Sequence, residues 1–434
     1  MRGLKTKKIL ATAAGLILVF GIAACGDDDD DGDGGGGGEA QLDLVIGDSV
    51  PLTGDLSDFG PPGQKASDLA VAQINDAIRQ AGVQHTVNIV HEDNETNPQA
   101  AVQAARKMVD ADGATCITGA WASADTIPTA QSVSIPDGIL QISPASTADE
   151  ISDLDDDGLM NRTAPPDRFQ GPTLANAIAD DLGGAEGQTV NIGARNDAYG
   201  EGLAGTFSDA WEELGGSIGE EVIYDPEQPS YDSEAQQITA GNPAAIVIID
   251  FPETFVKVGP ALQRSGNWDP AIAWGTDGLA SSDLPGDVGQ QVVEGMRGTA
   301  PGAPEEGAAS TAFDQAYTQA EPRNVDRQTF DAQNFDAAIL CYLAAVSAGS
   351  TDGQEMADAL VDITAPGGTE YTWEQLPEAI EALQNGDDID YTGASGALDL
   401  NEDGDATAGV YDIYLYTGGD IEIPVEQFPV EVTE

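Results

Sequence analysis

The sequence predicts an α/β protein made of two doubly wound parallel-sheet lobes joined by a three-strand hinge. Three observations carry that expectation. Short, continuous apolar runs alternate with amphipathic stretches from Leu42 onward; the alternation restarts after Arg162-Thr163-Ala164-Pro165-Pro166; and a further block resumes beyond Ala300. Strands covered by helices on both faces read as unbroken apolar runs, which is the signature of parallel sheets. The roughly 400 residues after the N-terminal segment suit two domains better than one core.

The N-terminal segment predicts export. Arg2, Lys5, Lys7 and Lys8 precede an apolar run ending Ile22-Ala23-Ala24-Cys25, the charge, apolarity and small residues of a lipoprotein signal, with Cys25 as the lipidated residue. The run from Ile9 to Ala24 is short of the ~20 residues that span a bilayer. Asp27 to Asp31 and Gly34 to Gly38 follow, self-repelling and without apolar side chains, as in a disordered tether. Residues 1–24 are therefore expected to be signal and 25–40 tether, holding the chain on the extracytoplasmic face of the cell membrane through lipid alone.

Beyond the tether the first repeats pair strand and helix. They are Leu42 to Ile46 with Lys65 to Ile78, Val87 to Val90 with Gln99 to Val109, Thr115 to Thr118 with Trp121 to Ser132, then Ile139 to Ile142. The second set is Val190 to Ala194 with Gly202 to Leu214, Ala245 to Ile249 with Thr254 to Leu262, then Ala271 to Trp274. Pro165-Pro166 cannot continue either neighbouring helix and suits a crossing. Helical patterns at Phe330 to Val346 and Trp373 to Leu383, and strands near Ala394 to Leu400 and Val410 to Tyr416, complete the chain. The expected division is 41–165 with 302–392 as the first lobe and 166–301 with 393–434 as the second.

Composition excludes several functions. Sixteen basic residues stand against 76 acidic ones, a formal net charge of −60, and signal removal deepens it. Nucleic acid and anionic lipid both need a basic patch, so neither is an expected partner. So acidic a surface repels itself unless salt screens it, which predicts adaptation to saline conditions. Beyond Cys25 there are only Cys116 and Cys341, readable as buried thiols or one bridge. His85 and His91 lack zinc spacing and no phosphate loop is present, so no cofactor or metal is expected.

Ligands in open α/β sheets bind at strand carboxyl ends, where helix starts offer free N–H groups. The exits here read Pro51-Leu52-Thr53-Gly54 with Phe59-Gly60, then Gly119-Ala120-Trp121-Ala122-Ser123, then Ser143-Pro144-Ala145-Ser146-Thr147. Ser123 and Thr147, with local amides, are candidates for holding one carboxylate, and either hydroxyl also reads as a plain N-cap.

With these pieces in order, the chain from Leu42 onward resembles the solute-binding proteins of branched-chain amino acid ABC transporters, the type I periplasmic-binding fold. The segments that carry the resemblance are Val50-Pro51-Leu52-Thr53-Gly54, Ile142-Ser143-Pro144, Arg162-Thr163-Ala164, Asn196-Asp197-Ala198-Tyr199-Gly200-Glu201-Gly202 and Gly275-Thr276-Asp277-Gly278. The resemblance implies that Ser123 and Thr147, with amides near Ala145 and Ser146, bind a ligand carboxylate. It implies that Asp277 receives the ammonium, that Tyr199 lines the cleft, and that Phe59, Trp121 and Phe251 wall the side-chain pocket. The family often has tyrosine where Phe251 stands, so one polar contact is missing. Asp277, between Thr276 and Gly278, equally reads as a turn residue.

The resemblance further implies an amino acid as ligand and an ABC permease as partner. Two alternatives accompany it: the same fold serving as sensor or as receptor for amides, urea or aromatic acids, and an exported hydrolase. The hydrolase has little support, since GxSxG is absent and no catalytic pairing can be drawn from two histidines. Asp399-x-Asn401-x-Asp403-Gly404-Asp405 matches half an EF-hand loop, but Val410 stands where the bidentate glutamate belongs, so a turn is expected; Asp153 to Gly158 likewise lacks a terminal ligand.

Overall fold

Parallel strands need helical crossovers, and the computed structural model, which describes residues 41–305 and 307–431, supplies them throughout. The signal, Cys25 and the tether lie outside the described residues. One five-stranded parallel sheet runs in spatial order Thr86–Asp93, Asp43–Val50, Cys116–Thr118, Leu140–Ser143, Met160–Arg162. Its interior strands are buried, as their unbroken apolar runs require. A seven-stranded sheet runs Asp420–Glu431, Ala408–Thr417, Arg297–Pro301, Ala273–Gly275, Ala245–Ile249, Thr189–Arg195, Ser217–Tyr224. Its last five strands are parallel and the C-terminal hairpin is antiparallel. A small third sheet joins Thr369–Thr372, Ile389–Gly393 and Gly396–Ala397.

The chain passes between the two large sheets three times. It leaves the first after Met160–Arg162 and enters the second lobe as the helix Asp167–Leu182. After Arg297–Pro301 it returns, and the helices Ala308–Gln319, Asp331–Ala348, Gly353–Thr364 and Leu376–Asn385 all contribute to the core containing Leu44, Ile46 and Ile142. Asp331–Ala348 is apolar nearly all round because it is buried nearly all round. A disulfide ties its Cys341 to Cys116 on the strand Cys116–Thr118, Cα–Cα 6.0 Å, which resolves the thiol-or-bridge alternative.

The third passage differs from expectation. Ala394, Leu398, Leu400 and Ala406 pack into the first core, and the chain joins the second sheet only at Ala408. The strand expected over Ala394 to Leu400 shrinks to Gly396–Ala397 plus a bridge between Leu400 and Ala406. The cause is Asp336, whose buried carboxylate accepts the amides of Ala394 (2.8 Å) and Ser395 (2.8 Å) and the Ser395 hydroxyl (2.6 Å), withdrawing those donors from any ladder. The helix expected over Trp121 to Ser132 is likewise broken into Ser123–Thr129, a π turn Ala130–Ser134 and Ile135–Asp137, with Pro128 inside the first piece.

The acidic loops satisfy themselves. Asn401 Oδ1 accepts the amides of Asp403 (3.0 Å) and Asp405 (2.9 Å), and Asp156 accepts those of Gly158 (3.0 Å) and Met160 (2.9 Å). The Asp405 carboxylate turns inward onto Arg162 Nε (2.7 Å) and also binds Arg168. Arg162 further donates to Ala148 O (2.8 Å) and Ser152 Oγ (2.7 Å), and its amide donates to Gly404 O (2.9 Å), so the first passage is fastened to the third. Among the described residues no helix is long and apolar enough to cross a membrane.

Candidate functional site

Between the lobes lies a small chamber lined by Leu56, Phe59, Trp121, Ala122, Ser123, Ala145, Tyr199, Phe251, Asp277, Gly278 and Phe330. Strand exits of the first sheet supply Trp121, Ser123 and Ala145; exits of the second supply Phe251, Asp277 and Gly278. Tyr199 comes from the start of the helix Ala198–Glu213, whose cap is Asp197 accepting the Gly200 amide.

The first-lobe wall offers hydroxyl and amide groups. Ser123 is buried, opens its helix, and accepts the Ala148 amide (3.2 Å), leaving its own proton free to donate. Here the structure departs from expectation at two residues. Ser146 is outside the lining: its hydroxyl bonds Thr126 Oγ1 (2.7 Å) and Trp121 O (3.0 Å), and its amide donates to Ser143 Oγ (3.0 Å). The Ala145 amide also leans on Ser143 Oγ (3.4 Å). Thr147 is buried outside the lining and borders Asp167. A serine two positions before Ala145 therefore competes for the amides expected to face a carboxylate.

The second-lobe wall is anionic. Tyr199 donates to Asp277 Oδ1 (2.7 Å) and lies 2.7 Å from Thr276 Oγ1. Burial pushes Asp277 up to about 6, a rise the Tyr199 hydrogen bond opposes. Burial, then the Asp277 charge, raises the Tyr199 phenol well above its ordinary range. Phe251 stacks on Tyr199 with ring centroids 5.2 Å apart, and the Arg195 guanidinium sits 3.7 Å from the Phe251 centroid. Gly278 permits this close approach, since a Cβ there would meet Asp250 O at 2.5 Å.

Of the nine residues singled out from sequence, the chamber brings together Phe59, Trp121, Ser123, Ala145, Tyr199, Phe251 and Asp277. Sequence reasoning missed Leu56, Ala122, Gly278 and Phe330. Phe330 meets Phe59 and Trp121 edge-on, centroids 6.4 and 6.3 Å apart, and holds a left-handed φ of 73° ahead of the helix Asp331–Ala348. Leu56 and Ala122 flank residues that were found.

The lobes also meet at the chamber's rim. Asp55 accepts Arg195 Nη2 (3.1 Å) and Thr254 Oγ1 (3.0 Å) from the second lobe, and Asp58 accepts the Ser281 hydroxyl. Gln328 donates to Ser282 Oγ (2.7 Å) and Thr329 to Ala280 O (3.2 Å). These contacts hold the two lobes in a closed arrangement.

A two-lobed chamber of this construction can enclose a small solute, and similarity agrees. The sequence profile described as periplasmic binding protein matches residues 43–375. The chain belongs to that family. Its members are extracytoplasmic substrate-binding proteins, not enzymes, which removes the exported-hydrolase alternative. It is similar to the Leu/Ile/Val-binding protein homolog 1 of Brucella abortus, 25% identical over 74% of this chain and 83% of the relative. It is also similar to BasB, a substrate-binding protein of a chemotactic signal transduction system in Halobacterium salinarum, 25% identical over 82% of this chain and 83% of that protein. Among solved structures, the leucine-binding protein LivK of Thermotoga maritima aligns with a TM-score of 0.70 at 20% identity, over 90% of this chain and 99% of LivK. A solute-binding protein from R. palustris in complex with benzoate aligns with a TM-score of 0.69 at 16% identity, over 90% of this chain and 98% of that one. The periplasmic-binding fold is thus that of the LivK type.

Proposed function

We propose that this periplasmic-binding-family chain is a lipid-anchored extracytoplasmic receptor that captures an amino acid, branched-chain or related, between its lobes and delivers it to an ABC permease. The observation that carries the reading is the chamber's polarity. Ser123 donates from one lobe while the Asp277–Tyr199 pair accepts from the other, with aromatic side chains between them. A zwitterion with an apolar side chain matches that layout, because a carboxylate seeks hydroxyls and helix-start amides and an ammonium seeks a carboxylate. A ligand touching both lobes favours the closed arrangement by its differential affinity, and closure is the form a permease would recognise. The signal sequence ending at Cys25 supports the anchor.

A second reading is favoured by particular features. Phe251 carries no hydroxyl, and one structural neighbour holds benzoate, so a carboxylate lacking an amine is the alternative ligand; the chemotactic relative raises a sensory role. Thermal melting against amino acids, amides, urea and small carboxylates separates them. A ligand that binds only the folded chain stabilises it by about 2.7 kcal/mol at a hundredfold excess over Kd. A shift confined to amino acids supports the first reading. A shift with benzoate and none with any amino acid removes the ammonium role of Asp277.

A further inference from the structure

Asp167 is the first residue of the helix Asp167–Leu182 and is fully buried, yet neither of its carboxylate oxygens makes a hydrogen bond to any described residue. Its amide donates to Thr147 O (2.8 Å), which places it where the first lobe's loop meets the second lobe's first helix. The groups facing it are short of donors. The Thr147 hydroxyl is the one donor at hand, near enough to oppose the rise of Asp167 but short of full hydrogen-bond geometry. Gln170, one turn on, gives its amide nitrogen to Thr299 (3.1 Å to the carbonyl) and hydrogen-bonds Asp277, opposing the rise of that carboxyl, while its Oε1 is unpartnered among the described residues. The helix Ala198–Glu213 approaches through Gly202, where a Cβ would lie 3.5 Å from Asp167 Oδ2. Asp149, Arg162, Tyr199 and Tyr411 complete the charged and titratable surroundings. Arg162, the cation among them, is already bonded to Asp405.

Two buried carboxylates, Asp167 and Asp277, thus lie on the acceptor side of the site, one in the chamber wall and one outside the lining. Buried charges of like sign are not left ionised without a compensating cation or proton. Desolvation and then the Asp277 charge raise Asp167 well above the ordinary carboxylate range.

We propose that Asp167 and Asp277 together require one positive charge in the closed chamber, and that a proton and a ligand ammonium supply it in mutual exclusion. Capture of an amino acid then expels a proton to solvent, whereas capture of a carboxylate lacking an amine leaves that proton in place. Asp167 is a positioning residue, acting on the ligand through the field it shares with Asp277. The inference rests on the chamber being the ligand site and goes beyond the choice of ligand, since it assigns a proton release to amine-bearing ligands and none to amine-free carboxylates. The sign follows from the direction of the shifts. Asp277 rises only to about 6 whereas Asp167 is raised well above the ordinary carboxylate range, so Asp167 is the group that holds the competing proton, and raising the pH removes it.

The test is calorimetric titration of the full chain with leucine and with benzoate at pH 7 and pH 8, in buffers of differing ionisation enthalpy. Leucine affinity should rise with pH, approaching about tenfold per unit for one expelled proton, and its heat should report proton release; benzoate should release none and keep its affinity over the same range. Asp167→Asn should weaken leucine binding at pH 8 and flatten its dependence, which a merely structural residue would not do. Leucine binding that is independent of pH and buffer in the wild type overturns the proposal without need of the variant. If leucine gives no heat and benzoate does, amino-acid capture fails, while benzoate binding without proton release still upholds the retained proton and proton release with benzoate overturns it. Heat from neither ligand overturns both.

Discussion

Two regions of this protein bury aspartates, and they treat them in opposite ways. Around the passages, Asp405 receives both Arg162 and Arg168, and its carboxyl is held below the usual range because those guanidinium charges outweigh its burial. Beside the chamber, Asp167 has the Thr147 hydroxyl and Asp277 has neutral donors from Tyr199, Gln170 and the backbone, with no cation in contact with Asp277, and both are pushed up. The first arrangement is complete within the chain and fastens one passage to another. The second is complete only with a positive charge from outside. Burial alone therefore does not mark a ligand site; a buried charge whose partners are missing from the protein does.

Removing a partner from the complete arrangement should have the largest effect. Arg162→Ala leaves Asp405 without its buried cation and should lower stability by about 3–5 kcal/mol, read by chemical denaturation. Reduction of the Cys116–Cys341 bridge, or Cys341→Ser, should cost about 2–5 kcal/mol, read from the same curves with and without reductant. Asp277→Asn breaks the comparison from the other side. It should weaken amino-acid binding by about 2–5 kcal/mol while leaving the melting temperature of the unliganded chain unchanged or raised, since it removes a carboxylate that burial disfavours. Asp55 is partly exposed and Arg195 keeps Asp197 as a partner, so Asp55→Ala, which removes the Arg195 and Thr254 contacts, should shift binding by at most about 1 kcal/mol. Finally, the melting temperature should rise from dilute buffer to molar salt, where the screening length falls to ~3 Å, because a net charge of −60 opposes compaction; a flat or falling temperature would refute salt adaptation.

Much of this was legible in the sequence because periodicity and the strand-exit rule act locally. Apolar runs such as Ala245 to Ile249 and Ile139 to Ile142 announce buried parallel strands, and the turns after such runs contain Ser123, Phe251 and Asp277. What was not legible depends on contacts between distant segments. Phe330 enters the chamber from the returning chain and meets Phe59, far from it in sequence, only in three dimensions. The hydroxyl of Ser143 captures amides that a list of residues leaves free for a ligand. Asp167 stands in a stretch that reads as a crossing, and its lack of partners appears only once its neighbours are placed. The late third passage follows from Asp336, whose reach to Ser395 has no sequence signature.

The central claim is that the chamber between the lobes captures an amino acid through Asp277. Calorimetric titration of wild type and Asp277→Asn with the amino acid that most stabilises the chain tests it most directly. The account predicts saturable binding to the wild type and a loss of about thirtyfold or more in the variant, the lower end of the cost of unpairing a buried charge. Equal affinity in the two proteins would contradict it.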